Sequence, residues 1–193
     1  MNYSDVLSFW FNELQPKDWF NSNEHLDLKM VSKFIVLHSQ AVNGELFKWR
    51  DDPYGRLAEI IIIDQFSRNI YRDDQKSFLY DPLALILAQE VLYGNHHKSF
   101  YDQHKMFLYT PFMHSESPLI HEKALILLSE PGMEKLLAEE IELKKTIDRF
   151  GRFPERNSIL SRLNTPEEEV YLFDKESHFH STDPSHYSMN NLH

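Results

Sequence analysis

The chain has 193 residues, no cysteine, 41% hydrophobic and 26% charged residues, and a formal net charge of −10. A chain of this length can bury one core without covalent cross-links, and the absence of cysteine excludes disulfides, thiolate metal sites and a cysteine nucleophile. The composition is that of a globular protein rather than a disordered one.

The charge balance bears on partners and location. Nucleic acids and anionic membranes are bound through clustered cations, so the negative net charge argues against general nucleic-acid binding and against a membrane surface. No apolar run approaches the roughly 20 residues that span a bilayer, and no cationic stretch precedes an apolar one after Met1. We therefore expect a cytoplasmic protein without a membrane-spanning segment.

Helical signals recur along the chain from its first residues. Ser4 is placed to cap a helix that runs to about Leu14, and apolar residues spaced three or four apart predict another helix over 23–42. Three further starts combine a capping residue with proline at the first helical position, at Asp52-Pro53, Asp81-Pro82 and Thr165-Pro166. Glu168 completes a capping box with Thr165.

The isoleucine run 60–63 has two readings. β-branched residues favour a strand, but a lone strand cannot satisfy its backbone and no comparable partner run exists. The start signal at Asp52-Pro53 favours a helix that is apolar on nearly every side. We predict that this segment is the central helix of the core.

The C-terminal half adds further helices and a polar tail. Helices are predicted near 116–128 and 133–150, with a short one at 157–163 before the helix that Thr165 begins. Periodicity stops after Phe173. We predict a single all-helical domain over 1–173 and a loosely ordered, histidine-containing tail over 174–193.

The first of three polar segments follows the isoleucines. If the helix continues, Asp64, Arg68 and Arg72 lie on one face at four-residue spacing. Asp64 would then pair with Arg68 and leave Arg72 free to bind a carboxylate or phosphate. The alternative is a structural ion pair that fixes the core helix to its neighbours.

The second polar segment surrounds a proline. Pro111 is expected to end the preceding helix, and Ser115 to cap the next one. His114 and Glu116 would then lie at a helix N-terminus, an end that attracts anions. The alternative is that Ser115 caps the helix, Glu116 interacts favourably with the helix dipole, and His114 is hydrogen-bonded to backbone.

The third polar segment turns at Gly151, which favours a left-handed helix stop, and at Pro154, which cannot continue the helix. Arg149, Arg152 and Arg156 follow one another within eight residues, and their repulsion requires compensation. Asp148 and Glu155 could supply it, or a bound anion.

Other chemistry has weaker signals. Adjacent His96 and His97, with His104, are more simply surface histidines than metal ligands. Phosphate-binding loops, nucleophile elbows, metalloprotease histidine pairs and dinucleotide glycine patterns are missing from the sequence. We predict neither a metal nor a cofactor.

These segments resemble the bacterial domain-of-unknown-function 924 family. The resemblance rests on Asp64-Gln65-Phe66-Ser67-Arg68-Asn69, Pro111-Phe112-Met113-His114-Ser115-Glu116 and Phe150-Gly151-Arg152-Phe153-Pro154-Glu155-Arg156-Asn157, with Phe9-Trp10-Phe11 near the start. It covers about residues 1–173. It implies an all-α, tetratricopeptide-like bundle or short superhelix of about eight to ten antiparallel-packed helices. It implies no established activity.

The chain departs from the family's pattern at two positions of these motifs. The family often has proline where this chain has Ser67, and histidine where it has Glu155. It also tends to have a histidine or arginine where this chain has Leu143-Lys144-Lys145. The arginines and His114-Ser115-Glu116 are retained.

Two function hypotheses follow. The first is a site for a small anionic ligand, carboxylate or phosphate, formed by Asp64, Arg68, Asn69, Arg72, His114, Glu116, Arg152, Arg156 and Asn157. The second is a tetratricopeptide-like module that binds a partner protein or peptide without catalysis. A third reading treats all three segments as polar joints between helices, with each arginine paired with Asp64, Glu59, Asp148 or Glu116 and facing no cavity. None of these readings requires a catalysed reaction.

Overall fold

The computed structural model describes residues 1–19 and 23–182. Over these ranges the chain forms ten α-helices and no strand, which confirms the all-α prediction. The helices are α1 Tyr3–Ser8, α2 Glu24–Val42, α3 Pro53–Ile61, α4 Ser67–Ile70, α5 Lys76–Leu79, α6 Asp81–Tyr93, α7 Asp102–Met113, α8 Pro118–Leu128, α9 Glu134–Phe150 and α10 Pro166–Thr182. Short 3-10 turns cover Pro16–Asp18, Phe47–Asp51, His96–Ser99 and Pro154–Arg156. The tetratricopeptide-like arrangement stays a prediction.

Two π-helical turns interrupt the regular helices. Phe9–Glu13 extends α1, and Ile62–Phe66 joins α3 to α4 in one helical path. A π-turn inserts an extra residue into a helix and is frequent at functional sites. The second turn contains Asp64.

The helix starts follow the sequence signals in most places. The Asp52 side chain accepts a hydrogen bond from a backbone amide of α3, and Thr165 and Glu168 form the predicted capping box before α10. Ser4 was the wrong cap for α1. Asn2 caps that helix, because its side chain forms a reciprocal capping box with Asp5.

The isoleucine run lies at the centre of the core, as predicted. The backbone of 60–63 is helical, and all four isoleucine side chains are fully buried. Helix α3 packs against α1, α6 and α7. Aromatic rings of the same core pack against one another: Trp10 lies 5.6 Å from Phe66 and 5.3 Å from Phe107, measured between ring centroids. The strand alternative is excluded.

The C-terminal region differs from the sequence pattern in two respects. The predicted short helix at 157–163 is wrong, because Pro154–Arg156 forms a 3-10 turn and non-helical backbone follows. Helix α10 continues past Phe173 to Thr182. Residues 183–193 of the predicted tail lie outside the described residues. Among the described helices, none is long and apolar enough to cross a bilayer.

His38 is a fully buried histidine of α2. Its Nε2 lies 2.7 Å from the Ser67 hydroxyl, which itself donates to the Ile63 carbonyl oxygen at 2.6 Å. His38 Nε2 is therefore the donor, and its buried Nδ1 has no hydrogen-bond partner among the described residues. Burial lowers the pKa of His38 to about 4 from 6.5.

This histidine predicts an acid-sensitive core. Between pH 6.5 and 4 the unfolded chain binds a proton that the folded protein excludes, so stability falls as the pH falls. The loss is at most about 3 kcal/mol. Urea unfolding at pH 7, 5.5 and 4 should show this loss in the wild type and a smaller one in His38→Leu. The exposed His25→Gln is the control, and parallel pH profiles for wild type and His38→Leu would contradict the prediction.

Candidate functional site

Asp64 lies in the π-turn between α3 and α4 and is fully buried. Its carboxylate accepts hydrogen bonds from Gln65 Nε2 at 2.5 Å and from Arg68 Nη1 at 3.2 Å, and lies 2.7 Å from His114 Nδ1. The predicted Asp64–Arg68 pair is therefore present. Burial opposes the ionisation of Asp64, but His114 and Arg68 more than offset it, so its pKa lies well below the ordinary value.

His114 follows the last residue of α7, not the start of α8. Pro111 lies inside α7 because the Thr110 hydroxyl, 3.2 Å from the Phe107 carbonyl oxygen, can replace the amide that proline lacks. Ser117, not Ser115, precedes the first residue of α8. The predictions that Pro111 ends a helix, that Ser115 caps the next and that His114 lies at a helix N-terminus are wrong.

Asp81 connects the first and third polar segments. Arg68 Nη2 lies 3.0 Å from its carboxylate, and Arg156 Nη1 donates to Asp81 Oδ2 at 3.2 Å. Burial raises the pKa of Asp81 above its ordinary value, and the attraction of Arg68 and His114 only partly offsets this effect. We call Asp64, Arg68, Asp81, His114 and Arg156 the central cluster.

Arg156 is held between two aromatic rings. Its guanidinium carbon lies 4.6 Å from the Phe78 ring centroid and 4.5 Å from that of Phe153. Burial lowers the pKa of Arg156, and Asp81 opposes this effect. A guanidinium remains protonated under such conditions, so Arg156 is a fixed cation. Its Nε and Nη2 make no hydrogen bond to any residue that the structure describes.

A cavity of about 330 Å³ opens beside the central cluster. Its polar wall includes Asp81, His114, Ser115, Glu116 and Arg156. Its apolar wall comes from α5, α6, α7 and the segment after the last 3-10 turn, and consists of Phe78, Leu79, Pro82, Leu85, Pro111 and Leu160. The cavity is thus polar on one side and apolar on the other.

Glu116 lines this cavity but is already paired. Arg162 binds both of its oxygens, at 2.6 and 2.9 Å, and the Phe153 amide donates to it at 2.8 Å. Burial raises the pKa of Glu116, but the hydrogen bonds from Arg162 and Phe153 lower it by more, so the net shift is downward. Glu116 therefore acts as a charged joint between the α7–α8 connection and the turn after α9.

Four predicted site residues lie elsewhere. Asn69 and Arg72 both bind Asp27 of α2, at 2.8 Å and 2.5–2.9 Å, because α4 ends at Ile70 and Arg72 leaves the predicted face. The prediction that Arg72 is free is wrong. Arg152 binds both oxygens of Glu168 at 2.6 and 2.7 Å. Asn157 binds Asn164 and Arg162.

The four predicted arginines each have a carboxylate partner, but only Arg68 has one that the reading of polar joints expected, and Arg156 lines a cavity that this reading did not expect. These partners are Asp64 and Asp81 for Arg68, Asp27 for Arg72, Glu168 for Arg152 and Asp81 for Arg156. Arg149 binds Glu167. Asp148 and Glu155 bind Lys144 and Lys175 instead of the arginines of the third segment.

Sequence reasoning missed Asp81 and Arg162 as partners of the site. Asp81 was predicted to be only a helix cap, but α6 begins at Asp81 itself, and its side chain makes no capping hydrogen bond. Arg162 lies in the segment where the sequence predicted a short helix, 46 positions from Glu116, so no local spacing indicates this pair. In the described part of the chain, no group of three or more histidine and acidic side chains is placed to hold a metal ion.

Fold and cavity define an all-helical protein with a mixed-charge cluster beside a partly apolar cavity. The model of the family described as bacterial protein of unknown function (DUF924) matches residues 6–176, and the chain belongs to this family. It is similar to the solved structure of a protein of unknown function, ATU0120 from Agrobacterium tumefaciens, with 33% identity and a TM-score of 0.83. The match covers 88% of this chain and 96% of that one. No functionally curated protein matches the chain.

Proposed function

We propose that the cavity beside the central cluster binds a small molecule with a carboxylate or phosphate at one end and an apolar body. The observation that most directly supports this is Arg156. Its guanidinium is fixed between Phe78 and Phe153, lines the cavity, and has two nitrogens without hydrogen-bond partners among the described residues. A fixed, planar guanidinium is suited to a carboxylate or phosphate.

The second free group is a histidine. His114 lines the same cavity, and its Nδ1 is engaged by Asp64. Its Nε2 makes no hydrogen bond to any described residue, and the side chain is 22% exposed. His114 Nε2 and the free nitrogens of Arg156 are thus two polar groups that a ligand can reach.

The net charge near the cavity does not by itself attract an anion. Three carboxylates and three guanidiniums balance there: Asp64, Asp81, Glu116, Arg68, Arg156 and Arg162. Selectivity therefore comes from the free nitrogens of Arg156, and affinity from the apolar wall. Burial of an apolar ligand body contributes about 25 cal/mol per Å².

This function predicts a ligand-dependent rise in melting temperature. Benzoate, acetate and inorganic phosphate are the probes. Benzoate combines the carboxylate with an apolar ring, so we expect it to bind more tightly than acetate. At ten times its Kd, a bound probe adds about 1.4 kcal/mol, which raises the Tm of a chain of this size by about 3–5 °C. Thermal unfolding followed by circular dichroism measures the shift.

The matched variants are Arg156→Gln and Arg149→Gln. Both arginines lie over a phenylalanine ring and pair with a carboxylate, but Arg149 is exposed and does not line the cavity. We expect Arg156→Gln to abolish the benzoate shift and Arg149→Gln to keep it. Equal shifts in both variants, or no shift in the wild type with any probe, would reject the site.

A protein-interaction module is the second candidate. Large apolar side chains are exposed on α6 and α8, which both pack against α7: Ile86, Tyr93, Leu119 and Ile126. A co-purifying peptide that is lost in Ile86→Ser, together with no response to benzoate, would favour this candidate. For either function, we propose the cytoplasm as the location, as the composition predicts.

A further inference from the structure

We propose that the site hydrolyses an ester of an anionic compound, with His114 as the general base and Asp64 as its positioning residue. This inference rests on the proposed function, because the substrate must occupy the same cavity. The observation behind it is the Asp64–His114 pair: a fully buried carboxylate lies 2.7 Å from Nδ1 of a histidine that lines a cavity.

Asp64 fixes which nitrogen of His114 is available. Arg68, Gln65 and the His114 ring all contact the carboxylate, so it is held ionised and accepts the Nδ1 proton. When the ring is in its neutral form, its lone pair is therefore on Nε2, which makes no hydrogen bond to any described residue. A carboxylate that orients a histidine in this way is the arrangement that general-base catalysis requires.

The other groups of the cavity fit the same reaction. Arg156 would hold the substrate's carboxylate, and the apolar wall its body. The described lining has no cysteine and no serine in hydrogen-bond contact with His114, so the nucleophile is water. A neutral Nε2 can take a proton from a water molecule placed against the substrate.

The reaction balances with water as the only co-reactant. His114 Nε2 takes a proton from water as the water oxygen bonds to the ester carbonyl carbon. Collapse of the tetrahedral intermediate breaks the bond to the alkoxy or aryloxy oxygen. The Nε2 proton passes to that oxygen, and an acid and an alcohol or phenol are released.

The test uses 4-acetoxybenzoate, whose carboxylate and ring match benzoate and whose hydrolysis gives 4-hydroxybenzoate and acetate. Release of 4-hydroxybenzoate is followed by absorbance. We expect saturable hydrolysis by the wild type and a kcat at least about 100-fold lower in His114→Asn. Asparagine can still donate to Asp64, so this variant should fold. The exposed His25→Gln is the control and should keep the full rate.

Two further measurements separate the possible failures. Benzoate binding to His114→Asn, measured by calorimetry, should persist. If the wild type binds benzoate but does not hydrolyse the ester, the esterase inference is overturned and the proposed function stands. If the wild type does not bind benzoate, both are overturned.

Nitrogen-15 NMR should show the neutral His114 ring protonated on Nδ1. The Asp64→Asn variant should move this proton to Nε2, and its kcat should fall by a larger factor than its KM changes. A wild-type ring protonated on Nε2 would also overturn the inference.

Discussion

Glu140→Ala is expected to destabilise the protein by about 3–5 kcal/mol, because it breaks a fully buried, hydrogen-bonded glutamate–histidine pair from one side. Glu140 and His121 are both fully buried, and His121 Nδ1 lies 2.6 Å from Glu140 Oε1. His121 Nε2 lies 2.7 Å from the Ser115 carbonyl oxygen, which can only accept, so Nε2 carries a proton. Without Glu140, the ring keeps one buried nitrogen unsatisfied.

The same pair fixes the edge of the cavity. His121 binds the backbone of Ser115, which lies between His114 and Glu116. Urea unfolding of Glu140→Ala, beside the exposed Glu139→Ala of the same helix, measures the effect. The double variant Glu140→Leu/His121→Leu should recover much of the stability, since neither unpaired side chain remains buried. A loss in Glu140→Ala no larger than in Glu139→Ala would contradict this account.

The parts of the site that the sequence predicted are local. The Asp64–Arg68 pair follows from four-residue spacing along one helix, and the left-handed Gly151 follows from its position at a helix end. The Thr165–Glu168 capping box is equally local. Each of these features is decided within a few residues of sequence, so propensity and spacing are enough to find it.

The sequence between α7 and α8 contains a signal for the start of α8, but the prediction assigned this start to the wrong serine. Ser115 and Ser117 are both acceptable caps, but Pro118 directly follows Ser117 and favours the first helical position. If α8 begins at Pro118, α7 can continue past Pro111 to Met113, and His114 then lies at the C-terminal end of α7. The Thr110 hydroxyl, which allows Pro111 inside the helix, is a compensation that no spacing rule would show.

The pairings that form the cavity could not be predicted, because they join distant parts of the chain. Arg68 and Arg156 are 88 positions apart and meet at Asp81, and Glu116 meets Arg162 across 46 positions. Which carboxylate faces which arginine depends on the packing of several helices. The π-turn at 62–66 adds to this, because it changes the direction of Asp64 without any glycine or proline to mark it.

Asp64→Ala is the second substitution with a large expected effect. It removes the buried carboxylate that accepts hydrogen bonds from Gln65 Nε2, Arg68 and His114 Nδ1, and leaves these donors facing the space that the carboxylate filled. We expect a loss of about 3–5 kcal/mol at neutral pH. The exposed Asp51→Ala is the matched control and should change stability by less than about 0.5 kcal/mol.

The pH dependence distinguishes a lost charge from lost packing. The folded pKa of Asp64 is depressed below its unfolded value of 3.8, so its contribution is fully present above that pH and is lost as the pH falls toward the folded pKa. The difference in stability between wild type and Asp64→Ala should therefore shrink as the pH falls below 4. A difference that stays unchanged down to pH 2 would mean that Asp64 stabilises the core through its shape, not through the charge that orients His114.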